Sequence, residues 1–159
     1  MPSSSILIEI TSLSRHERAQ RKSLEKLLAQ SGLKGMACDG ISPVYRIEGN
    51  IGRGEAETAA LELLCDPIVE KYSIDPVPVG ERSFFADVWF KPGVTDATGD
   101  SVLQAIADLK IETVGKAFSG TRYRVSSRGP NGDTQGKLVR FVNRELLNPL
   151  IQECRITRP

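Results

Sequence analysis

Histidine, tryptophan and cysteine are scarce in this chain, with one, one and three copies among 159 residues. Imidazole-centred acid–base chemistry therefore has a single candidate, His16, which stands among alternating Arg and Glu with no nucleophile or paired carboxylate in a recognisable pattern and reads as a surface residue. The cysteines, Cys38, Cys65 and Cys154, are odd in number and far apart. They form no CxxC pair and no metal-ligand spacing, so reduced packing thiols are expected rather than a disulfide framework. Net charge is nearly absent, with 21 Lys and Arg against 20 Asp and Glu. Neither nucleic acid nor an anionic membrane is therefore an expected partner. No apolar run approaches the ~20 residues of a membrane span. Met1-Pro2-Ser3-Ser4-Ser5 lacks the basic and apolar segments of a secretory signal, and the chain is expected in the cytoplasm.

Binding motifs are missing as well. Gly49, Gly52 and Gly54 have neither the spacing of a dinucleotide loop nor the Lys-Ser or Lys-Thr of a P-loop, and read as a turn. Asp96, Asp100 and Asp108 follow one helix without a second ligand set. No catalytic, cofactor-binding or metal-binding residue is nominated. Arg15, Arg18, Arg21, Lys22 and Lys26 share a helix with Glu17 and Glu25, which reads as a solvated face, an acidic protein partner being the functional alternative.

The chain does contain enough apolar sequence for a packed core, at 40% hydrophobic and 26% charged residues. It also contains a repeat. Leu63-Leu64-Cys65-Asp66-Pro67-Ile68-Val69 reappears as Leu146-Leu147-Asn148-Pro149-Leu150-Ile151 with one residue deleted, Tyr45-Arg46-Ile47 as Tyr123-Arg124-Val125, and Ile6 to Ile10 corresponds to Ala86 to Phe90. Each half follows one order. In the first, Ile6, Ile8 and Ile10 alternate as in a half-buried strand. Ser14 and Glu17 form a capping-box pattern for a helix over about 15–31. An extended segment spans 43–48, and Ala56, Ala59, Ala60, Leu63 and Leu64 mark a second helix, closed by a strand over 68–74. The second half repeats this with a strand over 84–90, a helix capped by Asp96, an extended segment over about 117–127, a polar loop Gly129-Pro130-Asn131-Gly132, a helix bearing Leu138, Phe141 and Val142, and a strand over 150–156.

The sequence thus predicts an α+β fold of two tandem β-α-β(β)-α-β units, 1–75 and 83–159, joined by a Pro-rich linker 76–82 and paired as a pseudo-dimer within one polypeptide. Two helices cover only one face of so small a sheet, so the units are expected to meet each other, or further chains, through free sheet faces or edges. Phe85 and Trp89 lie on the face opposite Phe84, Ala86 and Val88 and are the leading interface residues. A base-stacking platform is the other use such rings have.

Phe90-Lys91-Pro92-Gly93-Val94-Thr95-Asp96-Ala97-Thr98-Gly99 resembles the strand-to-helix turn of the PurS family, the small subunit of phosphoribosylformylglycinamidine synthase, and the two helix-to-strand junctions resemble that family's own. The tandem form also looks like the N-terminal region of some long PurL-type synthases. The first half departs at the turn, with Thr11-Ser12-Leu13-Ser14 in place of Lys91-Pro92-Gly93-Val94. The resemblance implies a component of an ATP- and glutamine-dependent amidotransferase of purine biosynthesis. It further implies no active site in this chain, ATP and magnesium on the synthase partner, and bridging to PurL-type synthase and PurQ-type glutaminase subunits, with a homo-oligomer as a further arrangement. It adds Lys91, Pro92 and Gly93 to Phe85 and Trp89 as candidate interface residues. The alternative function is a regulatory module holding a small ligand near the glycine-rich loops.

Overall fold

Alternating Ile6, Ile8 and Ile10 build the first strand, β1 (Ser5–Ser12), in a computed structural model that describes residues 4–12, 14–129 and 133–159. It is followed by α1 (Arg15–Gln30), β2 (Met36–Gly49), α2 (Arg53–Ala59), which runs on into a π-helical turn (Ala60–Leu64), and β3 (Glu70–Ile74). The second half gives β4 (Ser83–Phe90), α3 (Ala97–Asp108), β5 (Val114–Ser127), α4 (Thr134–Glu145) and β6 (Gln152–Thr157). Residues 130–132 of the expected polar loop lie outside the described residues.

Both long strands start earlier than alternation suggests. Met36, Ala37 and Cys38 are buried in succession, so the first turn of β2 has no solvent-facing side and no period of two to read. Both closing strands start later. Asp66 Oδ1 accepts from the Ile68 N–H, and Glu70 Oε2 from the Asp66 N–H, which folds 66–69 into a tight turn. Asn148 and Gln152 form the same pair of bonds to Leu150 N–H and Asn148 N–H.

The six strands form one sheet in the order β3-β1-β2-β5-β4-β6, every pairing antiparallel. In each half the first strand is therefore central and the third is at the edge. The halves join edge to edge through β2 and β5, from Met36 opposite Ser127 to Gly49 opposite Val114, and not by stacking free faces. Strand pairing also corrects the repeat alignment. Ile8 lies between Tyr45 and Ile74, and Ala86 between Tyr123 and Ile156, so Ile8 matches Ala86 and the strand alignment from the sequence is displaced by two residues. One step on, Glu9 opposite Val44 matches Asp87 opposite Arg122.

The helices pack on the face bearing Ile8, Ile47, Ala86 and Val125, and their packing crosses the boundary between halves. Leu24 and Leu28 of α1 share a core with Leu138, Phe141 and Val142 of α4, over Cys38, Phe84, Ala86 and Val125. Ala56 and Ala59 of α2 share another with Val102 and Ile106 of α3, over Ile8, Ile10, Ile47 and Ala117. Each core thus draws one helix from either half. At ~1.5–3 kcal/mol per buried aliphatic or aromatic side chain, the stabilisation depends on both halves together.

The β3–β4 connection begins bonded to β1, with Asp75 Oδ1 accepting from the Leu7 N–H, and ends bonded to β5, with Arg82 O accepting from the Ser127 N–H. It therefore passes β2. Pro78 within it is buried, and the helices occupy the other face, which puts the connection across the helix-free face.

Candidate functional site

Two features stand out on the helix-free side: a buried ion network at the join between halves, and a polar cleft beside it. The network arises because alternate residues of β1, β4 and β5 point to this face, and in these strands they are Glu9, Asp87, Arg122 and Arg124. Alternation of polar with apolar residues ordinarily means a wet face. Here Glu9, Asp87 and Arg122 are 0%, 4% and 2% exposed.

Arg122 grips Asp87 through two parallel bonds, Nε to Oδ1 and Nη2 to Oδ2, both 2.7 Å. Its remaining nitrogen, Nη1, donates to Glu9 Oε2 at 3.0 Å. Arg124 donates to both Glu9 oxygens at 2.8 and 2.6 Å, and Ser42 Oγ donates to Oε1 at 2.5 Å. Two carboxylates and two guanidiniums are thus neutral as a set, with strands of both halves contributing. The equivalent of Arg122 in the first half is Val44, so one buried cation serves two equivalent carboxylates.

Burial by itself would raise the Glu9 carboxyl, but the hydrogen bonds from Arg124 and Ser42 and the charges of Arg124 and Arg122 hold it below its ordinary value of 4.5. Burial would likewise lower Arg122, whereas Asp87 and Glu9 push it above its usual value. A carboxyl with a depressed folded-state pKa binds more protons unfolded than folded, so its stabilisation is complete above 4.5 and is lost as pH falls through the folded value. The stability advantage over a Glu9→Gln chain is expected to shrink on acidification below 4.5. Urea unfolding of both chains across pH measures this, and a pH-independent difference would refute it.

Phe85 and Trp89 form the aromatic part of the same face. The Arg122 guanidinium lies 4.1 Å from the Phe85 ring centre and that of Arg124 5.1 Å. Arg46, from the other half, lies 5.1 Å from the Trp89 ring and 4.5 Å from that of Phe118. Trp89 also faces Gly120 across the β4–β5 pair, where a Cβ would come within 2.7 Å of the indole and of the Val88 carbonyl oxygen, so glycine is what lets the ring lie flat. Both aromatic rings are 4% exposed, which leaves no open platform for stacking bases.

Lys91, Pro92 and Gly93 line the neighbouring cleft of about 590 Å³ together with Arg46, Glu48 and Asp100. Gly93 takes φ +84°, which lets the chain reverse between β4 and α3. Lys91 Nζ donates to Pro149 O at 2.5 Å, tying this turn to the one before β6. Asp96 caps α3 by accepting from the Gly99 N–H, and it also accepts from the Ser119 N–H and hydroxyl, pinning the helix to β5. Pro92 and Gly93 are exposed at the rim, Lys91 is half-buried, and Phe85 and Trp89 are inside.

The Ser14–Glu17 box forms only in part. Ser14 Oγ accepts from the Glu17 N–H, but the Glu17 carboxylate accepts from the Ile41 N–H instead of returning to Ser14. Glu25 similarly accepts from the Cys38 N–H. The register shift in β2 between Cys38 and Gly40 lies between these two contacts. The thiols of Cys38 and Cys154 are both pushed by burial up to about 11, so they are protonated near neutrality. His16 is exposed on α1. Sequence reasoning missed the ion network, although opposite charges at alternate positions of neighbouring strands were its visible signal.

These features define a small α+β chain whose polar groups are spent on joining its own strands. Residues 85–158 match the family described as PurS, phosphoribosylformylglycinamidine (FGAM) synthase. This match runs from Phe85 in β4 through β6, the second half of the chain. No curated protein matches the chain.

Proposed function

We propose that the chain is a non-catalytic bridging component of phosphoribosylformylglycinamidine synthase, acting in the cytoplasm, with each half a PurS-like unit and the two together replacing a pair of separate subunits. The observation that carries this reading is the family match over 85–158, reinforced by a first half with the same strand order, completing a paired sheet without a second chain. In this role the synthase partner holds ATP and magnesium, a PurQ-type glutaminase releases ammonia, and this chain holds the two in the geometry that lets ammonia pass. Its exposed contributions are the Lys91-Pro92-Gly93 turn and its cleft. Phe85 and Trp89 act from inside by stiffening the sheet that carries them.

Reconstitution with the synthase and glutaminase subunits tests this. Omitting the chain is expected to abolish amidine formation from glutamine while leaving formation from free ammonia intact. Glutamine-dependent turnover that is unchanged by the omission would end the reading.

A further inference from the structure

The basic residues of α1 are not balanced where they face solvent. Both acidic residues of the helix point down to β2, Glu17 to the Ile41 N–H and Glu25 to the Cys38 N–H, and Glu17 also holds Arg21 at 3.2 Å. Arg15, Arg18, Lys22 and Lys26 remain, all exposed, at the spacing of one helical stripe. Among the described residues none of these four has an ion-pair partner. This is a cationic ridge on a chain whose overall charge is almost nil.

Beside the ridge runs an open groove of about 630 Å³. Ala19, Ser23 and Leu27 of α1 form one wall, Ile41 and Tyr123 belong to the sheet, and Leu146 closes the end of α4. The groove lies in the helical layer of the fold, where neighbouring helices pack with their axes about 8–10 Å apart. An extended peptide laid there would find no free strand edge, because β5 is paired on both sides and the Cys38 and Ile41 N–H groups of β2 are taken by Glu25 and Glu17. A helix satisfies its own backbone and needs only an apolar stripe, which the groove matches.

We infer that this groove and ridge form a docking surface for an amphipathic helix of a protein partner, with leucine-like side chains in the groove and carboxylates against Arg15, Arg18, Lys22 and Lys26. The inference rests on the proposed bridging role only in supplying a partner protein. The charge pattern alone sets the chemistry: a basic helix is repelled, and an acidic one is drawn in and held in a salt-dependent manner.

The test uses the full chain and two fluorescent model helices, both with Leu at i, i+3, i+4 and i+7, one with Glu and one with Lys elsewhere. Fluorescence polarisation is expected to show binding of the Glu helix, weakened by added salt, and none of the Lys helix. Arg18→Glu with Lys22→Glu should weaken it about tenfold, since two exposed attractions become repulsions. Ser23→Trp, which fills the groove from an exposed position, should weaken it independently, with circular dichroism checking that both variants stay folded. Equal binding of the two helices, or variants that bind like the unaltered chain, would overturn the inference. Where omitting the chain abolishes glutamine-dependent turnover, full activity of the folded charge-reversed chain would also overturn it. Model-helix binding without any effect of the chain on amidine formation would instead sink the bridging role and leave the groove standing.

Discussion

Arg122→Ala is expected to lower stability by about 3–5 kcal/mol, because it strands the Asp87 carboxylate in the interior and takes one of two cations from Glu9. Arg122 is the only bidentate partner of Asp87 among the described residues, and it meets Glu9 as well. Arg124 stays with Glu9 after the change but is itself half-exposed. Asp87, 4% exposed, is left with no cation. Urea unfolding followed by circular dichroism should show a midpoint well below that of the unaltered chain. Replacing Asp87 and Arg122 together by leucine and methionine should recover much of the loss, since the apolar pair carries no desolvation penalty and Glu9 keeps Arg124 and Ser42. A single variant as stable as the parent would mean that water reaches the network, and the description of a dry join would be wrong.

Trp89→Ala is expected to cost about 3–5 kcal/mol through the cavity left under Arg46 and over Gly120. The loss reaches past β4, because Arg46 comes from the other half and keeps only Phe118 to lie on. Gly120→Ala is the finer probe. Its methyl group would meet both the indole and the Val88 carbonyl oxygen, so the ring must lift toward solvent. Since Trp89 is the sole tryptophan, its fluorescence reports this directly. The parent should emit at short wavelength and the variant at longer wavelength. An unmoved spectrum with unchanged stability would show that the ring does not lie against Gly120.

Much of the fold was legible because its elements obey simple periods. The alternation of Ile6, Ile8 and Ile10, the cap at Asp96 and the apolar faces of the helices each declare a local structure that tertiary contacts then keep. Register was less legible. The two-residue slip between Ile6–Ile10 and Ala86–Phe90 arises because apolar alternation looks the same after a shift of two, and only pairing with Tyr45 and Tyr123 fixes it. The network was hidden for a related reason. Glu9 and Arg122 are 113 residues apart, and a charged residue in an alternating strand looks solvent-facing until the chain across it is known. The Lys91-Pro92-Gly93 turn was found because it is local. The groove beside α1 could not be, since the inward orientation of Glu17 and Glu25 depends on β2.

The pairing of Glu9 with Val44 and of Asp87 with Arg122 makes the halves non-interchangeable. Two copies of the first half mated in this way would bring together two glutamates and two valines, with no deep cation between them. Two copies of the second would place a pair of Arg122 guanidiniums beside a pair of Asp87 carboxylates, where one Arg122 now bonds to both acids. Neither self-match therefore reproduces the native arrangement, in which one Arg122 spans a glutamate and an aspartate. The two halves thus present unlike side chains to the join they share.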